Sequence, residues 1–424
     1  MIQLPTEFIH RMKERLGSDF PAFFKTYETP PAKGLRVNTL KISVQEFLKI
    51  SPFPLSPVPW EPTAFYYEGE RVGAHPYHAA GLFYCQEPSA TLPAGLLQAK
   101  AGERVLDLCA APGGKATQLA AAMQGEGLLI ANEYDYTRAR ILSENIERLG
   151  IKNAVVTSCD PARLASCLPA FFDKILVDAP CSGEGMFKKE EAALLHWSEA
   201  NVRGCAARQK NILDSAVSML CGGGRLVYST CTFSAEENEE QAEALLARYK
   251  ELTLVETRRL YPHEVRGEGQ FAAVFVKSGE ERYCPKPFAA TRNGAAEKAF
   301  SAFFSEVYGR PPQGSLHTLV DGRMLLLSEG LPALAVTTLR MGLEVGSWDG
   351  KIFKPAHALA IAETGAQKKI QLKKEECGEY LRGELLYQDV ENGWYVVCVD
   401  GYPLGWAKAV NGALKNHYPK YLRR

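Results

Sequence analysis

From about residue 100 onward the hydrophobic period switches repeatedly between two and 3.6, and no other feature narrows the fold as far. Residues 104–108 form a short apolar run, 113–123 an alanine-rich helical stretch, and 127–131 a second strand-like run. Helical spacing over 136–149 stops at Gly150, and 154–157 and 174–177 read as strands. A long helix over 201–221 is expected to stop at Gly222-Gly223-Gly224, with a strand over 225–229 after it; 271–276 fits a late strand of the same sheet. Alternation at this pitch predicts βαβ units: an α/β, Rossmann-like, doubly wound core whose parallel sheet is covered on both faces.

At 424 residues the chain is too long for one ordinary core, and roughly three domains are expected. The segment 7–12 is amphipathic, 34–40 is strand-like, and the proline-dense stretch 51–60 should be extended, with a domain boundary near it. The expected limits are 1–75 for an N-terminal α+β subdomain, 76–283 for the core, 284–365 for a first C-terminal domain and 366–424 for a last one. Residues 291–298 read as a linker, the remainder of the chain as short strands and turns, and 383–406 alternates like a small β-barrel or sandwich.

Composition excludes more than it selects. No run of about 18 apolar residues and no signal-peptide pattern is present, so a cytoplasmic protein without membrane contact is expected. Eleven scattered cysteines include no CxxC pair, which argues for reduced thiols and against a zinc site; no metal is expected. Net charge is zero, so any nucleic-acid surface must be local.

The first strand closes on Asp107-Leu108 and runs into Cys109-Ala110-Ala111-Pro112-Gly113-Gly114-Lys115 ahead of a helix. Free backbone N–H groups at that helix start, with glycines that let a ligand approach closely, suit a nucleotide-like cofactor. A phosphate-binding P-loop fails on Cys109 and Ala116, and the dinucleotide pattern GxGxxG is absent. S-adenosyl-L-methionine fits a shorter turn with no pyrophosphate to wrap. Glu133 after the second strand and Asp160 after the third stand where acids would take its ribose and adenine.

Two cysteines come after the next strands: Cys181 in Asp178-Ala179-Pro180-Cys181-Ser182-Gly183, and Cys231 in Ser229-Thr230-Cys231-Thr232. If the strands are neighbours, their axes lie ~4.8 Å apart and both thiols can face one cleft. That arrangement suits methylation of a pyrimidine at C5, a carbon that is not nucleophilic in the aromatic ring. A thiolate adding at C6 makes C5 an enamine carbon, Asp178 can steady the base's N3/N4 edge, and a second thiol or a water can assist release. Pyrimidine deamination is excluded because Glu184 stands where its PCxxC motif needs a cysteine.

These segments, with Leu35-Arg36-Val37-Asn38 and Gln86-Glu87-Pro88-Ser89-Ala90, resemble the Nop/Sun family of RNA 5-methylcytosine methyltransferases over most of the chain. Within it the layout is similar to the RsmF-type enzymes of bacterial small-subunit rRNA, on His75-Pro76-Tyr77-His78, Gly267-Glu268-Gly269 and the ending from Gly405-Trp406 to Lys420. The resemblance implies Cys231 as nucleophile, Cys181 as the releasing group, and Asp178 in contact with both cofactor and base. It implies that Cys109 through Lys115, Glu133 and Asp160 hold S-adenosyl-L-methionine, and that Lys115 reaches the base. An N-terminal RNA-binding subdomain and a mainly-β, PUA-like C-terminal module are implied as well. DNA cytosine methyltransferases use the Pro-Cys thiol as nucleophile, so spacing alone leaves the two cysteine roles open. Ala116 departs from the threonine common in the family.

An enzyme that acts on a base in folded RNA must flip it out and hold the flanking phosphates. Arg36, Asn38, Lys188, Lys189 and the basic tail (Lys415, His417, Lys420, Arg423, Arg424) are the candidate contacts. The expected partner is 16S rRNA or the small ribosomal subunit, with tRNA the alternative substrate, no DNA, and a monomeric protein. A reading from another class is an inactive RNA-binding ribosome-assembly factor that kept the fold.

Overall fold

The computed structural model describes residues 2–289 and 291–423. Four strands, β1 (Gly34–Val37), β2 (Leu55–Val58), β3 (Glu61–Tyr67) and β4 (Phe83–Cys85), form an N-terminal sheet in the order β2-β3-β1-β4. The proline-dense stretch therefore lies inside this unit, as its edge strand β2, and not at a boundary. The sheet also draws β4 from beyond residue 75.

The core strands are β5 (Arg104–Asp107), β6 (Leu128–Asn132), β7 (Ala154–Ser158), β8 (Phe172–Asp178), β9 (Leu220–Thr230), β10 (Leu252–Leu260) and β11 (Gln270–Lys277). They run β10-β11-β9-β8-β5-β6-β7, parallel from β9 to β7, with β11 antiparallel to β9. The chain builds outward from β5 through β6 to β7, then crosses to β8 and β9 on the other side. A crevice opens at the carboxyl ends of the strands where the winding reverses. Both faces are covered: Leu106, Ile175 and Tyr228 point into one apolar layer, Val105, Leu129 and Val227 into the other. The fold is a Rossmann-like, doubly wound core.

Three expectations need correction. The long helix spans Glu199–Met219, and the glycines meant to stop it lie inside β9, because Leu220 is already extended and pairs with Phe172. The expected linker at 291–298 contains the start of a helix, Gly294–Tyr308. Asn293 caps it, accepting from the N–H groups of Ala295 (3.1 Å) and Ala296 (3.2 Å), and it buries Phe300, Phe304 and Val307. The segment Thr337–Met341, from the region expected to be a separate domain, joins the core sheet antiparallel to β7.

The last unit is a five-stranded sheet with the helix Cys377–Arg382, and its core merges with that of the N-terminal sheet through Tyr77, Tyr380 and Val397. Among the described residues, no helix is long and apolar enough to cross a membrane.

Candidate active site

The crevice over β5, β8 and β9 is a cavity of about 1190 Å³, and residues from both the glycine turn and the two cysteine segments line it. Gly113 sits at φ 115°, a conformation that favours glycine, and an added Cβ would lie 3.2 Å from Leu142. That turn starts the helix Gly114–Ala122, so Gly114 and Lys115 stand in the cavity wall with first-turn N–H groups the helix cannot itself satisfy. Cys109, Ala110, Ala111, Pro112, Glu133, Asp160 and Asp178 also line the cavity; Gly113 shapes the turn from behind it. Glu133 accepts the Asp135 N–H at 3.1 Å and pairs with Arg138 at 3.4 Å. Asp160 caps the helix Pro161–Cys167 through the Ala162 N–H at 2.8 Å.

Asp107, read from the sequence only as the end of a strand, is the residue that reading missed. Both its carboxylate oxygens are buried without a hydrogen-bond partner, and it faces the cavity. Burial, then the nearby Asp178, push its pKa up to about 8; Lys115 offsets this only in part.

Opposite Asp107, the two sulfurs meet. β8 and β9 are adjacent and parallel with Asp178 level with Ser229, and Cys181 Sγ lies 3.3 Å from Cys231 Sγ. The hydrogen bond to Cys231, then burial, hold the Cys181 thiol well above its ordinary pKa. Either sulfur can donate in this contact. Beside them the Lys115 ammonium sits 2.7 Å from Asp178 Oδ2. Burial works against that ammonium, but Asp178, Cys231 and Asp107 outweigh it and the net shift is upward. Ser229 Oγ (2.7 Å) and Gln270 Nε2 (3.1 Å) donate to Asp178 Oδ1.

Known proteins are similar to this chain over its whole length. The chain is 33% identical to ribosomal RNA small subunit methyltransferase F of Erwinia tasmaniensis, an alignment covering 99% of this chain and 97% of that one. The enzyme of the same name from Klebsiella pneumoniae is 34% identical, covering 100% and 97%. The chain belongs to the RsmF-like Nop/Sun methyltransferases. Its residues 94–281 match the family model for the 16S rRNA methyltransferases RsmB/F, 4–88 the RsmF N-terminal domain, and 367–424 the RsmF PUA domain. Among solved structures, a methyltransferase homologue from Pyrococcus horikoshii is 31% identical with a TM-score of 0.59, covering 65% of this chain and 96% of that one.

In this RsmF-like chain two buried glutamates hold the cysteine loops together. Glu184 accepts from Trp197 Nε1 (3.0 Å) and from the Phe233 N–H (2.8 Å), while the Gly185 N–H donates to the Cys231 carbonyl at 2.9 Å. Glu237 accepts from the Ser182 N–H (3.0 Å), Ser182 Oγ (2.5 Å) and Gln209 Nε2 (2.9 Å). The Cys181 and Cys231 loops are thus cross-linked in both directions. The signal available in the sequence was an acid a few residues after each cysteine.

Three of the expected RNA contacts, Arg36, Asn38 and Lys188, are spent on the protein itself. Arg36 is 2% exposed and Asn38 3%, and both bond inward between domains. Asn38 Nδ2 donates to the carbonyls of Gly81 (2.8 Å) and Leu149 (2.9 Å). Lys188 is consumed by an ion pair with buried Glu268 at 3.0 Å. These three correct the sequence reading: the polar groups that would meet phosphate are satisfied by protein. Lys189 is exposed at the cavity rim, and Lys415, His417, Lys420 and Arg423 are exposed on the tail. Arg424 lies outside the described residues.

Proposed function

We propose that this chain methylates C5 of a cytosine in 16S rRNA, with S-adenosyl-L-methionine as methyl donor and a covalent bond between Cys231 and C6 of the base. The observation that carries the reading is the sulfur pair 3.3 Å apart in the wall of one cavity, beside the Lys115–Asp178 ion pair.

The cavity residues fit the cofactor. Asp107 is a buried carboxyl whose oxygens have no hydrogen-bond partner, and the amino-acid end of S-adenosylmethionine would give its ionised form a cation. Glu133 and Asp160 are available for its hydroxyl and amino groups, and the turn through Gly114 offers backbone donors. When bound, the cofactor supplies an electrophilic methyl group to a C5 carbon that thiolate addition has made nucleophilic.

The protein's own groups account for the rest. Once deprotonated, Cys231, with the Lys115 cation nearby, is the sulfur that adds to C6, and Cys181 stands 3.3 Å away as the second thiol. Lys115, Ser229 and Gln270 all donate to Asp178, which leaves its remaining acceptor capacity for the exocyclic amino group of cytosine. Uracil would present a carbonyl there and be repelled. Once the Cys231 sulfur is bonded to carbon, the main cause of the raised Cys181 pKa is gone. Cys181, once it has given its thiol proton to solvent, can take the C5 proton, and the C6–S bond then breaks to return Cys231 as a thiolate.

The test is methyl transfer to small subunits and total RNA from cells lacking the gene, with the product mapped by bisulfite sequencing. Label at a 16S rRNA cytosine is expected. Label in tRNA would displace the rRNA substrate, and label in no RNA would favour the assembly-factor reading.

A further inference from the structure

The Arg36 side chain, a candidate RNA contact by sequence, lies between two domains. It rises from β1 of the N-terminal sheet and crosses to the helix that begins at the glycine turn. Its Nη2 donates to Thr117 Oγ1 at 2.7 Å and to the Gly114 carbonyl at 3.1 Å, and Thr117 Oγ1 itself lies 3.1 Å from that carbonyl. Its Nε reaches Gln86 Oε1 at 3.4 Å. Arg36 does not line the cavity, but Gly114, Lys115 and Gln86 do. A second strut runs in parallel: Gln118, on the same helix, donates to Glu61 Oε2 of β3 at 2.7 Å and to the Thr91 carbonyl at 2.9 Å.

We propose that Arg36 is a positioning residue for the cofactor: it pins the first turn of the helix Gly114–Ala122 to the N-terminal subdomain, so that this subdomain forms part of the S-adenosylmethionine site. The proposal rests on the methyltransferase reading above. A fully buried guanidinium is costly unless its donors are used. Burial lowers the Arg36 pKa to about 10 even with Glu61 beside it, so the cation is retained where its bonds hold it. Those bonds end on the turn that meets the cofactor. Removing them frees the Gly114 carbonyl and the Thr117 hydroxyl, and loosens the turn that carries Lys115 to Asp178. The RNA-facing surface is untouched, because Arg36 is not part of it.

The test measures the affinity of the full-length protein for S-adenosylmethionine by calorimetry and for a 16S rRNA transcript by filter binding. Arg36→Met and Arg36→Lys are expected to weaken cofactor binding tenfold or more and to leave RNA affinity within twofold of wild type. A role confined to stability would lower the unfolding midpoint but leave the affinity of the folded fraction unchanged, and that result would overturn the proposal. A fall in RNA affinity matching the fall for the cofactor would also overturn it. Should the Arg36 variants fail to fold, Thr117→Val decides: it removes one end of the strut while keeping the side chain's shape. A severalfold loss of cofactor affinity is then expected, and an unchanged one refutes the idea. A wild-type protein that binds no S-adenosylmethionine would instead refute the methyltransferase reading itself.

Discussion

Asp107 offers the sharpest test of how the cavity is built, because the same side chain should weaken the empty protein and strengthen the loaded one. Its carboxyl is raised from 3.8 to about 8, through burial first and the neighbouring Asp178 second. Between those values the folded chain binds more protons than the unfolded one, so stability falls as pH rises through the window. At ~1.4 kcal/mol per unit, the cost is about 4 kcal/mol at pH 7 and on the order of 5 kcal/mol near pH 8.5. An asparagine at this position would have the same shape and nothing to ionise, though it keeps buried polar atoms that cost roughly 1–3 kcal/mol. Asp107→Asn should therefore stabilise the ligand-free protein by about 3 kcal/mol near pH 8.5, with the gain vanishing at about pH 5. It should also weaken S-adenosylmethionine binding by ~30-fold, the loss of one charge-assisted contact worth about 2 kcal/mol. Wild type should release about 0.9 proton per cofactor bound at pH 7, because the cofactor's ammonium ionises a carboxyl that was protonated. Urea denaturation at several pH values, and calorimetry in buffers of different ionisation enthalpy, measure all three quantities. An asparagine variant less stable than wild type at high pH, or wild-type binding with no proton release, would refute the reasoning.

The geometry sets three further outcomes. Cys231→Ala should abolish covalent capture of a 5-fluorocytosine RNA on denaturing gels, whereas Cys181→Ala should accumulate an adduct with the normal base; the opposite pattern would reverse the two roles. Glu237→Ala should cost roughly 3–5 kcal/mol in chemical denaturation, since the Ser182 N–H, Ser182 hydroxyl and Gln209 amide all lose their acceptor, and a cost below about 1 kcal/mol would show that the loops do not depend on it. Burial opposes the charge on Glu147, but His357 and Arg340 overcome it and lower the pKa from 4.5 to about 2. A depressed carboxylate contributes stability above its unfolded pKa. About 3 kcal/mol should therefore be lost as pH falls from 4.5 toward 2, and Glu147→Gln should remove that acid dependence.

The residues legible in the sequence were those whose function is local. A glycine turn after Asp107, acids after β6 and β7, and a cysteine just after each of β8 and β9 are read from a few neighbouring letters. A parallel sheet delivers such strand ends to one edge, whatever the rest of the chain does. What could not be read depends on contacts between distant segments. Arg36 lies within a short apolar strand, and nothing near it says whether it meets solvent, RNA or another domain; its partners are about 80 positions away. Glu184 was seen only as the residue that spoils a deaminase motif, because its partners Trp197 and Phe233 come from other segments. The helix Gly294–Tyr308 was hidden by its polar, glycine-containing first turn, its large apolar residues beginning only at Phe300. The edge strand Thr337–Met341 has no partner nearby in sequence; its mate is β7.

The same division explains how charge is distributed in the site. Three ionisable groups act on one cation: Asp178, Cys231 and Asp107 stand around Lys115, on the edge where β5, β8 and β9 end. Among the described residues Lys115 forms an ion pair with Asp178 alone, so Asp107 is left without a direct counter-charge. A cationic ligand is therefore drawn to the Asp107 end of the cavity, and a neutral, electrophilic ring to the sulfur end. The two ends need not compete for one pocket. Moving Lys115 toward Asp107 would give that carboxyl a cation and stabilise the empty protein, but it would break the Lys115–Asp178 pair. The fold prevents that move by fixing the helix start from which Lys115 projects, through Gly113 beneath it and Arg36 across the domain boundary.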